Sequence, residues 1–193
     1  MEWTDTRLVS ECRQGNEQAY ARLVDTYKGL VYSVSYRLLG DSAEAEDAAQ
    51  ETFLAAFRGL HTFREGAPLA PWLSRIAHNY CLRQLHRRGP TTVSLEARLA
   101  DDLEPLAQRV PDPVPTPETL LERSELGAEL EAAIMALPAR YRTAVTLRYL
   151  HDFSYAEVAE SLDLPLGTVK TQLHRARGLL RKRLEATWTE ARA

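Results

Sequence analysis

Between Leu166 and Arg183 the chain carries six basic residues, Lys170, Arg175, Arg177, Arg181, Lys182 and Arg183, and no acid. Cations at that density neutralise phosphates, and arginine and lysine also match the acceptor edges of guanine. Helical spacing sorts the segment into two faces. Val169, Leu173, Ala176, Leu180 and Leu184 fall on one side, and Thr168, Lys170, Thr171, His174, Arg175, Arg177 and Arg181 on the other. Just upstream, Ser154-Tyr-Ala-Glu157 is a capping box, and Tyr155, Val158, Ala159 and Leu162 make the apolar stripe of a short helix. Asp163-Leu164-Pro165 then breaks the chain, with Pro165 pre-set for a new first turn. A short capped helix, a tight break and a basic helix together predict a helix-turn-helix, whose second helix offers its early exposed residues to base edges. A solvated basic face on a plain helical hairpin shares the composition. The acid-free run directly after the capped helix favours DNA.

A second cationic stretch runs from Gly66 to Leu95, again without an acid. There Arg75, Asn79, Arg83 and His86 line one side of a helix that begins at Pro71 and buries Leu73, Ile76, Ala77 and Tyr80. Phe63, Arg64 and Trp72 stand beside it. Cations following a backbone with an aromatic nearby suit capture of a single strand, although a tryptophan so early in a helix more commonly packs into the core. The opposite polarity occurs at Asp41, Glu44, Glu46, Asp47 and Glu51, in a stretch with no base. Acids favour a helix N-terminus, which accounts for Glu44 and Glu46. Glu51 lies about two turns further in. It shares a helical face with Asp47, Gln50 and Leu54.

The elements that must position these faces read as helices throughout. Tyr20, Leu23, Val24, Tyr27, Val31, Val34 and Leu38 recur at three- and four-residue steps, with Asn16 as N-cap and Gly40 after the end. Ala45, Ala48, Ala49, Phe53, Ala56, Phe57 and Leu60 form the next stripe. Beyond the centre, Thr116-Pro117 opens a helix through Leu126, Leu130, Ala133, Ile134 and Leu137, and Pro138 starts another with Tyr141, Ala144, Val145 and Tyr149 inside. Strand alternation and tight hairpin pairs are absent. Six of the ten prolines lie between Gly89 and Pro117, where Pro111-Asp-Pro-Val-Pro-Thr-Pro117 can be neither helix nor inner strand. The expected fold is therefore all-α. It has a helical domain over 1–89, an extended acidic linker over 90–117, and a helix-turn-helix domain over 118–193.

The 193 residues suffice for two small domains, and 45% hydrophobic with 26% charged residues describes an ordinary soluble composition. A net charge of −3 argues against indiscriminate nucleic-acid coating, but it averages two regions. Residues 90–125 hold eight acids against three bases, and residues 166–183 hold six bases and no acid. Cys12 and Cys81, each within a segment that reads as helical, make no disulfide framework, which suits a reducing cytoplasm. No signal peptide and no apolar run long enough to cross a membrane is visible. Enzymatic readings find no support: the histidines are scattered, and neither a glycine-rich phosphate loop nor Cys-x-x-Cys occurs. His78 and Cys81 share a face, yet two ligands do not close a zinc site. No metal or cofactor is expected.

These motifs, in this order, resemble the extracytoplasmic-function sigma factors of the sigma-70 family. In the second half the likeness rests on Leu137-Pro-Ala-Arg-Tyr-Arg142, Tyr155-Ala-Glu-Val-Ala159, Gly167-Thr-Val-Lys-Thr171 and Leu173-His-Arg-Ala-Arg177. In the first half it rests on Asp47-Ala-Ala-Gln-Glu-Thr-Phe53, Phe63-Arg64, Trp72-Leu73 and Arg75-Ile-Ala-His-Asn79. The resemblance implies a factor that carries core RNA polymerase to particular promoters in a stress or envelope response. Asp47, Gln50, Glu51 and Leu54 would then meet the clamp helices of the largest polymerase subunit. Phe63, Arg64, Trp72, Arg75, Asn79, Arg83 and His86 would meet the single-stranded −10 element. Thr168, Lys170, Thr171, His174, Arg175 and Arg177 would meet the double-stranded −35 element. It also implies an anti-sigma protein as partner. The loop Arg64-Glu-Gly-Ala-Pro-Leu-Ala-Pro71 departs from family usage, with two prolines and Phe63 as its only neighbouring aromatic. The residue that would capture a base there stays open. Two other readings remain: a regulator that binds duplex DNA without polymerase, and a mimic that only sequesters an anti-sigma protein.

Overall fold

The computed structural model describes residues 3–64, 66–87 and 127–190, the last five by backbone alone. The predicted linker over 90–117 and the predicted helix start at Thr116-Pro117 lie outside the described residues. All regular structure among the described residues is helical. The first half comprises α1 (Asp5–Arg13), α2 (Glu17–Leu39), α3 (Ser42–Gly59), a 3₁₀ turn (Leu60–Thr62) and α4 (Leu69–Arg87). The second comprises α5 (127–135), α6 (Ala139–Val145), a π turn (Thr146–Leu150), α7 (Tyr155–Leu162) and α8 (Leu166–Glu190).

Local chemistry sets most boundaries. Asn16 caps α2 by accepting from the amides of Gln18 and Ala19, and Gly40 ends it in the left-handed conformation at φ 76°. Asp41 opens α3 by accepting from Glu44 N. Ser154 and Glu157 complete both arms of the predicted capping box on α7, and Asp163 closes that helix at φ 55°. A residue other than glycine tolerates that region most easily when it is Asp or Asn. The helix predicted to begin at Pro71 begins two residues earlier, at Leu69. Proline needs no amide partner anywhere in a first turn, so Pro71 fits inside it.

Two sequence expectations need correction. Tyr149 was expected inside its helix but is 46% exposed. The π turn adds a residue to the helical ladder and shifts the register, so Thr146 and Leu147 are buried instead. Leu130 was also expected inside and is 40% exposed. It lies on the outer side of α5, while Ala133 and Ile134 take the core positions. The segment around Cys12, which reads as helical without clear bounds, is α1. It buries Leu8, Val9 and Cys12, with Thr4 as its cap.

The buried apolar residues of both halves form one continuous cluster, from Leu8 and Leu23 to Leu173 and Ala176. Within the first half α2 packs on α3 and α4; within the second α6 and α7 support α8. Between the halves, α4 lies against α7, and α2 against α6 and the π turn. Arg37, buried on α2, donates through both terminal nitrogens to the carboxylate of Glu131 on α5. A second ion pair joins Arg75 on α4 to Asp163 at 3.0 Å.

Candidate nucleic-acid and polymerase interfaces

The basic helix α8 exposes part of the row that its sequence pattern sets on one face. Thr168, Lys170, Thr171 and Arg175 are exposed, His174 and Arg177 are half-buried, and Val169, Leu173 and Ala176 are fully buried behind them. Gly167, Thr168, Thr171, Gln172 and Arg175 form one wall of a groove whose other wall is Arg140 and Tyr141 of α6. Thr171 donates its hydroxyl to Gly167 O at 3.0 Å, so only its oxygen lone pairs remain for a base or a water. Arg140 lies over the Tyr141 ring at 4.7 Å, which holds its guanidinium at the rim. Neither Arg140 nor Gln172 was a sequence candidate. Arg140 does fall within the motif Leu137–Arg142, but only folding brings it beside α8. Lys182 and Arg183 line a different groove, with Ala133, Leu137 and Leu179.

The second cationic face is on α4 and the loop before it. Arg64, Arg75, Arg83 and His86 are exposed and Asn79 is half-buried. His86 donates through Nδ1 to Leu82 O at 2.7 Å. Phe63 differs from the other candidates: its ring is 5% exposed and meets Trp72 edge-on, with centroids 5.1 Å apart. Trp72 is half-buried in that contact, so the pair packs as core and Phe63 offers no free face for stacking. The acidic face stands apart on α3, where Asp47, Gln50, Glu51 and Leu54 are all exposed, Leu54 at 44%. Beside it α2 and α3 leave an apolar cleft lined by Val24, Tyr32, Ala49 and Phe53, with Lys28 and Gln50 at its edge.

Comparison with known proteins assigns this arrangement. Residues 23–91 match the family model Sigma-70 region 2, and residues 127–180 match Sigma-70, region 4. The ECF RNA polymerase sigma factor SigW of Bacillus subtilis is 37% identical over 186 residues, covering 95% of this chain and 98% of that protein. The chain belongs to the sigma-70 family. Its relatives place it in the extracytoplasmic-function branch, since the ECF RNA polymerase sigma-E factor of Escherichia coli is also 34% identical over 90% of this chain and 91% of that protein. The RNA polymerase sigma-H factor of Pseudomonas aeruginosa is 33% identical over 97% of both. Among solved structures, CnrH in complex with the cytosolic domain of CnrY superposes at a TM-score of 0.64 over 94% of this chain and 97% of that one, at 23% identity. The sigma factor directs RNA polymerase to promoters and is not itself an enzyme.

No cluster of three or more His, Cys, Asp or Glu suited to a metal occurs among the described residues. Burial holds the His78 imidazole down at about pH 4 and pushes the Cys81 thiol up to about 11. An unfolded chain leaves His78 near 6.5, so below that value the unfolded state binds the extra proton. The stability that neutral His78 contributes is complete above pH 6.5 and is lost as pH falls towards 4. His151, also lowered by burial and then by Arg37, adds to the same trend. Urea midpoints should therefore fall between pH 7 and pH 5, and less steeply in His78→Leu. An identical slope in the variant would show that His78 does not control it.

Proposed function

We propose that this sigma factor docks on the polymerase clamp helices through Asp47, Gln50, Glu51 and Leu54, and reads two promoter elements with two separate cationic faces. Thr168, Lys170, Thr171, His174, Arg175 and Arg177 take the double-stranded −35 element, with Arg140 as a further phosphate or base contact across the groove. Arg64, Arg75, Asn79, Arg83 and His86 take the single-stranded −10 element, with Trp72 and Phe63 shaping the loop beside them. The observation that carries this reading is the exposed cation row on α8, backed by a fully buried apolar row and flanked by Arg140. No helix among the described residues is long and apolar enough to cross a membrane; by likeness to its relatives we place the factor in the cytoplasm. By likeness to the Bartonella quintana sigma factor RpoE, solved with the anti-sigma factor NepR, we further propose an anti-sigma partner, and a role in stress or envelope response.

The packing of α4 on α7 bears on how the factor is used. Promoter elements about two DNA turns apart lie on the order of 70 Å from each other, whereas touching helices cannot span that distance. Residues 90–117 could reach roughly 90 Å if extended. The free chain is therefore the closed form, and reading both elements requires the halves to part. Purified factor alone should bind promoter duplex weakly, and holoenzyme tightly. Tight sequence-specific binding by the free chain would instead support a regulator independent of polymerase. Glu131→Arg should open the closed form, because it leaves Arg37 facing like charge with Arg142 nearby. Small-angle scattering should then report a larger radius for the free variant, and an unchanged radius would remove this ion pair from the closing contacts.

A further inference from the structure

Among its described residues the loop between Phe63 and Leu69 contains neither helix nor strand, and the described backbone bonds within it amount to Ala67 N donating to Arg64 O at 3.3 Å. Gly66 takes φ 78°, and Pro68 has no amide to offer. Such a segment keeps a fixed shape only if its ends are held. Both ends are held by α1. At the leading end, the Arg13 guanidinium forks across two carbonyls, Nε to Leu60 O at 3.2 Å and Nη2 to Phe63 O at 2.6 Å. At the trailing end, Asp5 Oδ2 accepts the Leu69 amide at 2.8 Å, the first amide of α4. That amide has no partner within its own helix, and a carboxylate there also meets the positive end of the helix dipole.

The two gripping residues stand eight positions apart on one rigid helix, about 12 Å along its axis. Helix α1 therefore works as a ruler that fixes the span and direction of the loop. The ruler is itself fixed: Tyr27 donates to Asp5 Oδ1, Tyr20 donates to Cys12 O at 2.6 Å, and Leu8, Val9 and Cys12 are buried. Between the held ends, Arg64, Gly66 and Pro68 are exposed.

We infer that Asp5 and Arg13 are positioning residues for −10 recognition: they brace the loop from Phe63 to Leu69 at both ends, so that its exposed residues meet the separated strand in one geometry. This rests on the reading that the loop and α4 handle the −10 element. Charge-assisted hydrogen bonds are the strong class, and a free loop would sample several geometries before the strand arrived. Loosening either end should lower strand opening and blur base preference, without touching −35 binding or polymerase affinity.

The test uses holoenzyme reconstituted with full-length factor. Strand opening is read by permanganate reactivity on a promoter series varied one base at a time in the −10 element, and separately in the −35 element. Arg13→Gln and Asp5→Ala should each reduce opening roughly tenfold or more and compress the spread among −10 variants, leaving the −35 spread and core affinity at wild-type values. Asp5→Asn, which retains one acceptor oxygen, should recover part of the spread. Tyr27→Phe removes the support behind Asp5 and should give the same loss in weaker form, smaller than that of Asp5→Ala. Arg64→Ala separates the two claims. If Arg64→Ala flattens −10 preference while both brace variants keep it, the brace is wrong and the loop reading stands. If Arg64→Ala and both brace variants all leave −10 preference intact, the loop reading fails and the brace with it. Equal losses of opening and of −35 preference in the brace variants would mean general destabilisation and would also overturn the proposal.

Discussion

Arg175→Ala is expected to weaken holoenzyme binding at a −35 element by roughly 1–3 kcal/mol and to relax base preference at one or two positions. Arg175 is exposed on α8, in the same groove as Thr168, Thr171 and Arg140, with Leu173 and Ala176 buried behind it. A guanidinium placed early on a recognition helix can bond two acceptors of one guanine, and that pairing separates the right base from the wrong one. Lys182 provides the contrast. It lies on α8 two turns later and lines the other groove, with Leu179 and Ala133, so it meets a phosphate or solvent. Lys182→Ala should lower affinity about equally on all sequences and reduce the salt slope by about one if a phosphate is its partner. A titration over several salt concentrations, on promoters varied one base pair at a time, reads both effects. If Arg175→Ala leaves preference intact and Lys182→Ala alters it, the register assigned to α8 is wrong, although the helix-turn-helix remains.

The features legible in the sequence were those written in local chemistry. The Asn16 cap, the Gly40 stop, the Ser154–Glu157 box and the two-faced pattern of α8 each depend on residues a few positions apart. What stayed hidden depends on partners far along the chain. Helix α1 offers only three buried apolar residues, too few for a clear period, and its value lies in Asp5 and Arg13, whose partners are 64 and 47–50 residues away. The Arg37–Glu131 pair spans 94 residues, and no helical period reports it. The π turn is hidden for another reason. Thr146–Leu150 has the composition of an ordinary helix, and the extra residue becomes evident only in which side chains are buried. Arg140 was in view as part of a motif, yet its place beside Arg175 comes from packing of α6 on α8. Phe63 shows the converse. The resemblance sets it against the −10 element, and the fold places the ring against Trp72.

The second large effect concerns polymerase. Asp47→Lys with Glu51→Lys is expected to weaken association with core polymerase by on the order of a hundredfold, since an acidic docking face calls for a basic partner surface, and like charges placed across such an interface cost several kcal/mol. The folded state should tolerate the change. Both residues are exposed; Asp41, not Asp47, accepts the amide that caps α3; and two lysines four residues apart on an exposed helix face destabilise it by only a few tenths of a kcal/mol. Leu54, 44% exposed one turn beyond Gln50, supplies apolar area at the centre of the same face, so Leu54→Ala should add to the loss without changing its salt dependence. Reversing charge also makes the whole factor more basic, and this must be separated from a local effect. Glu17→Lys with Glu160→Lys gives the same change in net charge at two exposed acids on other faces. That control should alter affinity only weakly, and raised salt should erase the difference, because exposed charges beyond a Debye length of about 8–10 Å are screened. The loss at Asp47 and Glu51 should persist in part at high salt, since contact excludes the screening ions. A titration of labelled factor against core enzyme at two ionic strengths decides the matter. Wild-type affinity with both lysines in place would mean that this face of α3 does not meet polymerase, and the apolar cleft between α2 and α3, lined by Tyr32 and Phe53, would become the next surface to substitute.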